Sequence, residues 1–62
     1  MTNESIKSMD AYILLSVINT KLRDEYSSLN LLCDDMSIDK ELVESKLASV
    51  DYTYDESVNQ FK

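Results

Sequence analysis

Glycine and proline are both absent from these 62 residues, against ordinary usage of about 7% and 5%. Turns must therefore be built from Asn, Asp and Ser. An all-β sandwich, which needs Gly or Asn at many positive-φ turns, is disfavoured, and helices joined by short polar connections are favoured. The same absence removes every glycine-rich phosphate loop, because the P-loop and the dinucleotide fingerprint both need backbone to approach phosphate closely. Histidine is missing too, which removes imidazole metal sites and most acid–base or triad arrangements. Cys33 is the only cysteine, so no intramolecular disulfide can form, and a reduced, cytoplasmic setting is expected. No apolar run nears the roughly 18 residues of a membrane span, and no basic leader precedes an apolar core, so neither a membrane role nor a secretory signal is expected.

Positive charge is also scarce. Six Lys and Arg face twelve Asp and Glu, for a formal charge of −6. The summed field repels a polyanion, and non-specific nucleic-acid affinity rests on neutralising phosphates, so autonomous DNA binding is not expected. What the chain does have is 44% apolar and 29% charged residues, a globular balance. A chain this short buries only about 60% of its unfolded surface and has room for one core, which leaves self-association open as a source of stability.

Residues 1–8, "MTNESIKS", hold one apolar side chain and read as a flexible tail before a single domain over 9–62. From Met9 the pattern turns helical. Asp10 is a candidate N-cap, Lys21 and Arg23 suit the far end of the dipole, and a helix is expected over about 11–25. At 100° per residue Ala11, Leu14, Leu15, Ile18, Leu22 and Tyr26 form the inward stripe, with Tyr12 at its edge. Ile13 and Val17 point away from it. They are either half-exposed surface residues or a second contact face, for instance for another copy of the chain.

"SSLNLLCDDM" reads as a short helix capped by Ser27 or Ser28, with Leu29, Leu32, Cys33 and Met36 inward. Asp39 caps a third helix over about 40–49, Ile38 packing back on Val43 as a staple, and Val43, Leu47 and Val50 continue the core side with Leu42 on its flank. In "DYTYDESVNQFK", Tyr52, Tyr54 and Phe61 are strand formers around a polar loop where Asn59 can take the left-handed conformation, so a short hairpin is expected. The expected fold is thus mainly α: a three-helix, helix-turn-helix-like (winged-helix-like) bundle with a short C-terminal β-hairpin.

The helix-turn-helix spacing falls on Leu29, Leu32, Cys33, Met36, Ser37, Ile38, Val43 and Leu47. A small residue, here Cys33, lets two helices cross closely, while Ile38 plugs their corner and Ser37 stands where Gly is usual. A DNA reader would place Arg, Lys, Asn or Gln on the exposed side of the third helix. Here that side carries Lys40, Glu41, Glu44, Ser45 and Lys46, and glutamates oppose phosphates and acceptor-rich base edges. The side reads either as a solvated face or as an acidic surface for a basic protein.

Taken together, "YILLSVINTKLRDEYSSL" and "YTYDESVNQF" resemble a small bacterial family catalogued as domain of unknown function 4250, from about Tyr12 to Phe61. The paired "NTKLRD" and "NQF" carry the resemblance. It implies a bacterial, cytosolic protein and supplies no catalytic or binding residues. In "SVDYTYD" a family member more often has Gly before the tyrosine; Asp51 stands there, at the entry to the hairpin.

No catalytic, cofactor-binding or metal-binding residue is assigned, and no cofactor is expected. Cys33, on an inward face, reads as a small buried filler. Asp34, Asp35 and Asp39 lack the glycine and the ligand spacing of a calcium loop, and Arg23 reads as a partner for Asp24, Glu25 or a helix end. The expected role is non-enzymatic: interaction with a protein partner or with itself, with Ile13, Val17, Glu41 and Glu44 as contact residues. The alternative is a winged-helix DNA-binding regulator using Lys40, Lys46 and Lys62.

Overall fold

A computed structural model describes residues 1–62. Its four helices and one hairpin follow in chain order: α1 (Asn3–Ser8), α2 (Ala11–Asp24), α3 (Leu29–Met36), α4 (Lys40–Ala48), β1 (Tyr54–Asp55) and β2 (Gln60–Phe61). Each of the last three helices starts at a side chain that accepts from its first-turn N–H groups. The caps are Asp10, bonded to Tyr12 and Ile13; Ser28, bonded to Leu31; and Asp39, bonded to Glu41. These bonds satisfy donors that no helix can satisfy for itself.

The first helix corrects the expectation of a flexible tail and of three helices. Thr2 and Ser5 form a reciprocal capping box, and Ile6 is fully buried. Six residues are too few to hold a helix in water, so α1 exists because it is docked. Asn3 Oδ1 accepts from Asp39 N at 2.8 Å, and Lys46 Nζ donates to Lys7 O at 2.6 Å. Both bonds join α1 to α4 or to its cap. A single apolar residue has no period, which is why the pattern of "MTNESIKS" cannot announce this helix.

Eleven buried side chains make one core. Ile6, Leu14, Ile18, Leu22, Leu29, Leu32, Cys33, Ile38, Val43, Leu47 and Phe61 belong to it, so every helix and the second strand contribute. Two side chains placed inward or at the edge by periodicity lie elsewhere. Tyr12 is 60% exposed, and Val50 falls past the end of α4 in a turn, half-buried.

Without glycine, three ordinary residues take positive φ: Ser37 (55°), Asp51 (67°) and Asn59 (53°). The first two end helices in the same way. Ser37 N donates to Asp34 O and Ile38 N to Cys33 O; Asp51 N donates to Ala48 O and Tyr52 N to Leu47 O. This is the Schellman pattern, which satisfies the last carbonyls and usually has glycine at the left-handed position. Asp51 thus enters the hairpin in the conformation a glycine would take, at about 1–2 kcal/mol. The hairpin itself is antiparallel, with Tyr54 opposite Phe61 and Asp55 opposite Gln60. The rings of Tyr54 and Phe61 are tilted, with centroids 5.5 Å apart.

Truncating Ile6 to Ala should cost about 2–5 kcal/mol in urea denaturation, and Ile6→Val about 0.5–1.5. A domain this small holds only about 3–5 kcal/mol in all, so the alanine variant should be largely unfolded. No change in either midpoint would return α1 to the status of a tail.

Candidate functional site

Three of the chain's five amide side chains, Asn19, Asn59 and Gln60, converge where the C-terminal half of α2 meets the hairpin. Asn19, on α2, donates from Nδ2 to Phe61 O at 3.1 Å and accepts at Oδ1 from Phe61 N at 2.8 Å. One side-chain amide thus pairs with one backbone residue in both directions, as a neighbouring strand would. The free edge of a two-stranded sheet is thereby closed by a helix. Gln60 Nε2 returns a bond to Asn19 O at 3.1 Å.

Asn59 repeats the device one turn further along. Its Nδ2 donates to Leu22 O at 3.0 Å and Tyr26 O at 2.9 Å, and its Oδ1 accepts from the Tyr54 hydroxyl at 2.5 Å. Leu22 O is one of the carbonyls that a helix leaves orphaned at its end. The Tyr54 hydroxyl in turn accepts from Leu29 N, in the first turn of α3, at 3.3 Å. One asparagine in a left-handed position therefore ties together the end of α2, the hairpin and the start of α3.

Beside this junction lies a surface depression of about 430 Å³ lined by Leu22, Arg23, Asp24, Glu25, Tyr26, Ser27 and Asn59. Its polar side chains other than Ser27 are engaged. Arg23 binds Asp24 through Nε and Nη2, at 2.9 and 3.1 Å, a pairing that holds the Asp24 carboxyl below its ordinary range and the guanidinium above it. Both side chains are more than half exposed, where such pairs contribute little. The Tyr26 hydroxyl donates to Asp35, and this bond, with burial and the charges of Asp35 and Glu25 added, pushes its pKa up to about 12. The sixth position of "NTKLRD" is thus an ion-pair partner, and the first is a structural clamp.

Elsewhere the surface is plainer. Burial pushes the Cys33 thiol up despite Lys40 nearby, which keeps it a thiol and a poor nucleophile. No three Cys, Asp or Glu side chains converge closely enough to share a metal ion, and no helix is long and apolar enough to cross a membrane. Of the expected contact residues, Ile13 is 57% exposed on α2, Val17 is half-buried, Glu41 is exposed and Glu44 is half-buried on α4. The two pairs belong to different helices, and no hydrogen bond or ion pair joins them. Pattern reading missed Asn19, Asn59 and Gln60 as a unit. The available signal was the recurrence of amide side chains in the "NTKLRD" and "NQF" motifs.

Asn59→Gly keeps the backbone free to take positive φ but strips the Tyr54 hydroxyl and two carbonyls of their partner, and should cost about 1–3 kcal/mol in urea denaturation. Asn59→Asp should cost more, since a carboxylate would face the same carbonyls. Full stability in both variants would show that the amide is dispensable. Titrating tyrosine absorbance should find one group near 12, and Asp35→Asn should bring it down toward the ordinary 10. Because the folded pKa is raised, the stability from this bond is fully present below pH 10 and is lost as pH rises through about 12. Four tyrosines titrating together would remove Asp35 from the explanation.

Neither curated proteins nor solved structures gave a match to the chain. A family profile described as a domain of unknown function (DUF4250) matches residues 8–61. That span takes in α2 to β2 and both amide motifs, and it leaves all of α1 but Ser8 outside. With nearly its whole length matched, the chain belongs to this family.

Proposed function

We propose that the chain is a non-enzymatic interaction module of winged-helix-like build, working in the reducing bacterial cytoplasm, whose α3–turn–α4 unit offers an acidic surface to a basic protein. The observation that carries this reading is the fate of the cations on α4. Lys46, one of the two lysines a reading helix would turn to phosphate, donates to Lys7 O, while Glu41 and Glu44 are in no ion pair. A helix-turn-helix order with carboxylates outward fits a partner rich in Lys and Arg better than a polyanion. Opposite potentials of this kind set encounter rate and selectivity more than raw affinity. The lone cysteine, free and buried, suits the compartment.

The second reading, a DNA-binding regulator, is favoured by the spacing from Leu29 to Leu47 and would rest on Lys40, Lys46 and Lys62. It needs Lys46 to leave its carbonyl partner on α1, and it needs three cations to offset a net charge of −6.

The two readings separate in one binding assay. At low salt, a fluorescent Lys/Arg-rich peptide should bind, and pooled duplex DNA fragments should not. Glu41→Gln with Glu44→Gln should weaken the peptide by roughly 5- to 30-fold, as expected for two partly exposed charges of about 0.5–1 kcal/mol each. DNA binding with a steep salt dependence, or peptide binding indifferent to both substitutions, would reverse the assignment.

A further inference from the structure

The acidic chain keeps one neutral side. Residues 11–20 contain no charged side chain, although 29% of the chain is charged. They form most of α2, whose outward stripe at 100° per residue has Ser16 and Thr20 at its centre and Ile13 beside them. Ser16 and Thr20 are exposed, and Ile13 and Tyr12 are 57% and 60% exposed. Tyr12 lies on one flank of the stripe near its start, and Arg23 lies on the same flank near its end. Val17 closes the other flank, with the exposed Asp24, bonded to Arg23, beside it at the helix end.

We infer that this stripe receives a second copy of the chain, with the two α2 helices antiparallel across a two-fold axis. The occupant follows from charge. A basic partner is drawn to the carboxylates and gains nothing from an uncharged stripe. An identical copy carries the same net charge of −6, and residues 11–20 are the longest run along which it meets no like charge. The direction follows from the flanks. A two-fold axis perpendicular to the plane of two antiparallel helices brings each flank against the same flank of its mate, so Arg23 of one copy sits over the Tyr12 ring of the other, twice. A guanidinium can stack on a ring while its edge stays bonded to Asp24. The small side chains at Ser16 and Thr20 let the helices approach closely. At 14 residues, α2 is about 21 Å long, so the contact is at the small end of interface sizes and the Kd should be on the order of 100 μM.

This inference deepens the reading as an interaction module by naming a second partner surface, and it fails independently of that reading. In sedimentation equilibrium from micromolar to millimolar concentration, the mean mass should rise from 7.1 kDa toward that of two chains. Added salt should strengthen the association, because it screens repulsion between acidic copies, whereas it should weaken binding of the basic peptide. Ile13→Glu and Thr20→Glu, both at exposed positions, should keep native circular dichroism and raise the Kd about tenfold or more. Under mild oxidation, Tyr12→Cys mixed with Arg23→Cys should give the mixed disulfide in preference to Tyr12→Cys homodimers. A single chain at every concentration, substitutions without effect, or a predominance of Tyr12→Cys homodimers would overturn the antiparallel pair. If the peptide still bound in that case, the module reading would stand without it; a dimer that ignored the peptide would sink the module reading instead.

Discussion

The fold depends on amide side chains standing in for backbone. A two-stranded sheet of two residues per strand cannot hold itself in water, and here it has no third strand to lean on. Asn19 supplies the missing edge by giving and taking one hydrogen bond with Phe61. Asn59 gives a donor to Leu22 O near the end of α2 and to Tyr26 O just beyond it. Once these bonds are made, Phe61 is delivered into the core at 3% exposure, and its burial in turn keeps water away from the amides. Apolar packing and polar satisfaction reinforce each other at one junction, and partially buried networks of this kind strengthen when complete. No buried side-chain nitrogen or oxygen is left without a partner.

The absence of glycine bears on how the helices end. Ser37 and Asp51 terminate α3 and α4 in the left-handed conformation, each at about 1–2 kcal/mol over what glycine would cost in the folded state. Part of that is offset elsewhere, since a non-glycine residue has less unfolded freedom to lose. Asn59 is different, because its side chain is used: glycine there would relax the backbone and forfeit three bonds. The position needs both a tolerance of positive φ and an amide, and asparagine is the residue that offers the two together.

Much of the helical frame was legible in residue pattern. Asp10, one of the Ser27–Ser28 pair, which proves to be Ser28, and Asp39 mark three helix starts, and the stripes through Leu14, Ile18 and Leu22, through Leu29 and Leu32, and through Val43 and Leu47 are buried as their periodicity requires. Left-handed Asn59 was legible because few residues accept that conformation. The clamp was not. Asn19 and Phe61 are 42 positions apart, and periodicity carries no information across such a separation. The two motifs identified the family without revealing that they touch. Helix α1 was hidden for another reason: its stability lies in one buried isoleucine and two bonds to α4 and its cap, all of which are tertiary. Of the residues expected to make contacts, exposure at Ile13 and Glu41 could be read from their place on the wheel, whereas the distribution of charge around the whole molecule could not.

That distribution is uneven in a way packing alone does not require. The outward stripe of α2 could have carried Lys or Glu at Ser16 and Thr20 with better helix propensity than Ser and Thr provide, and with more solubility. It carries neither, and a tyrosine and an isoleucine stand exposed on either side of its centre. On α4 the opposite holds, with carboxylates outward and a lysine turned back to a carbonyl of α1. A chain that needed only to stay folded and dissolved would gain from mixing these two surfaces. One face of the molecule is therefore neutral and the other acidic, and the core between them is shared. A perturbation of Leu14, Ile18, Val43 or Leu47 would therefore reach both faces at once, whereas exposed substitutions on either helix should act on one face alone.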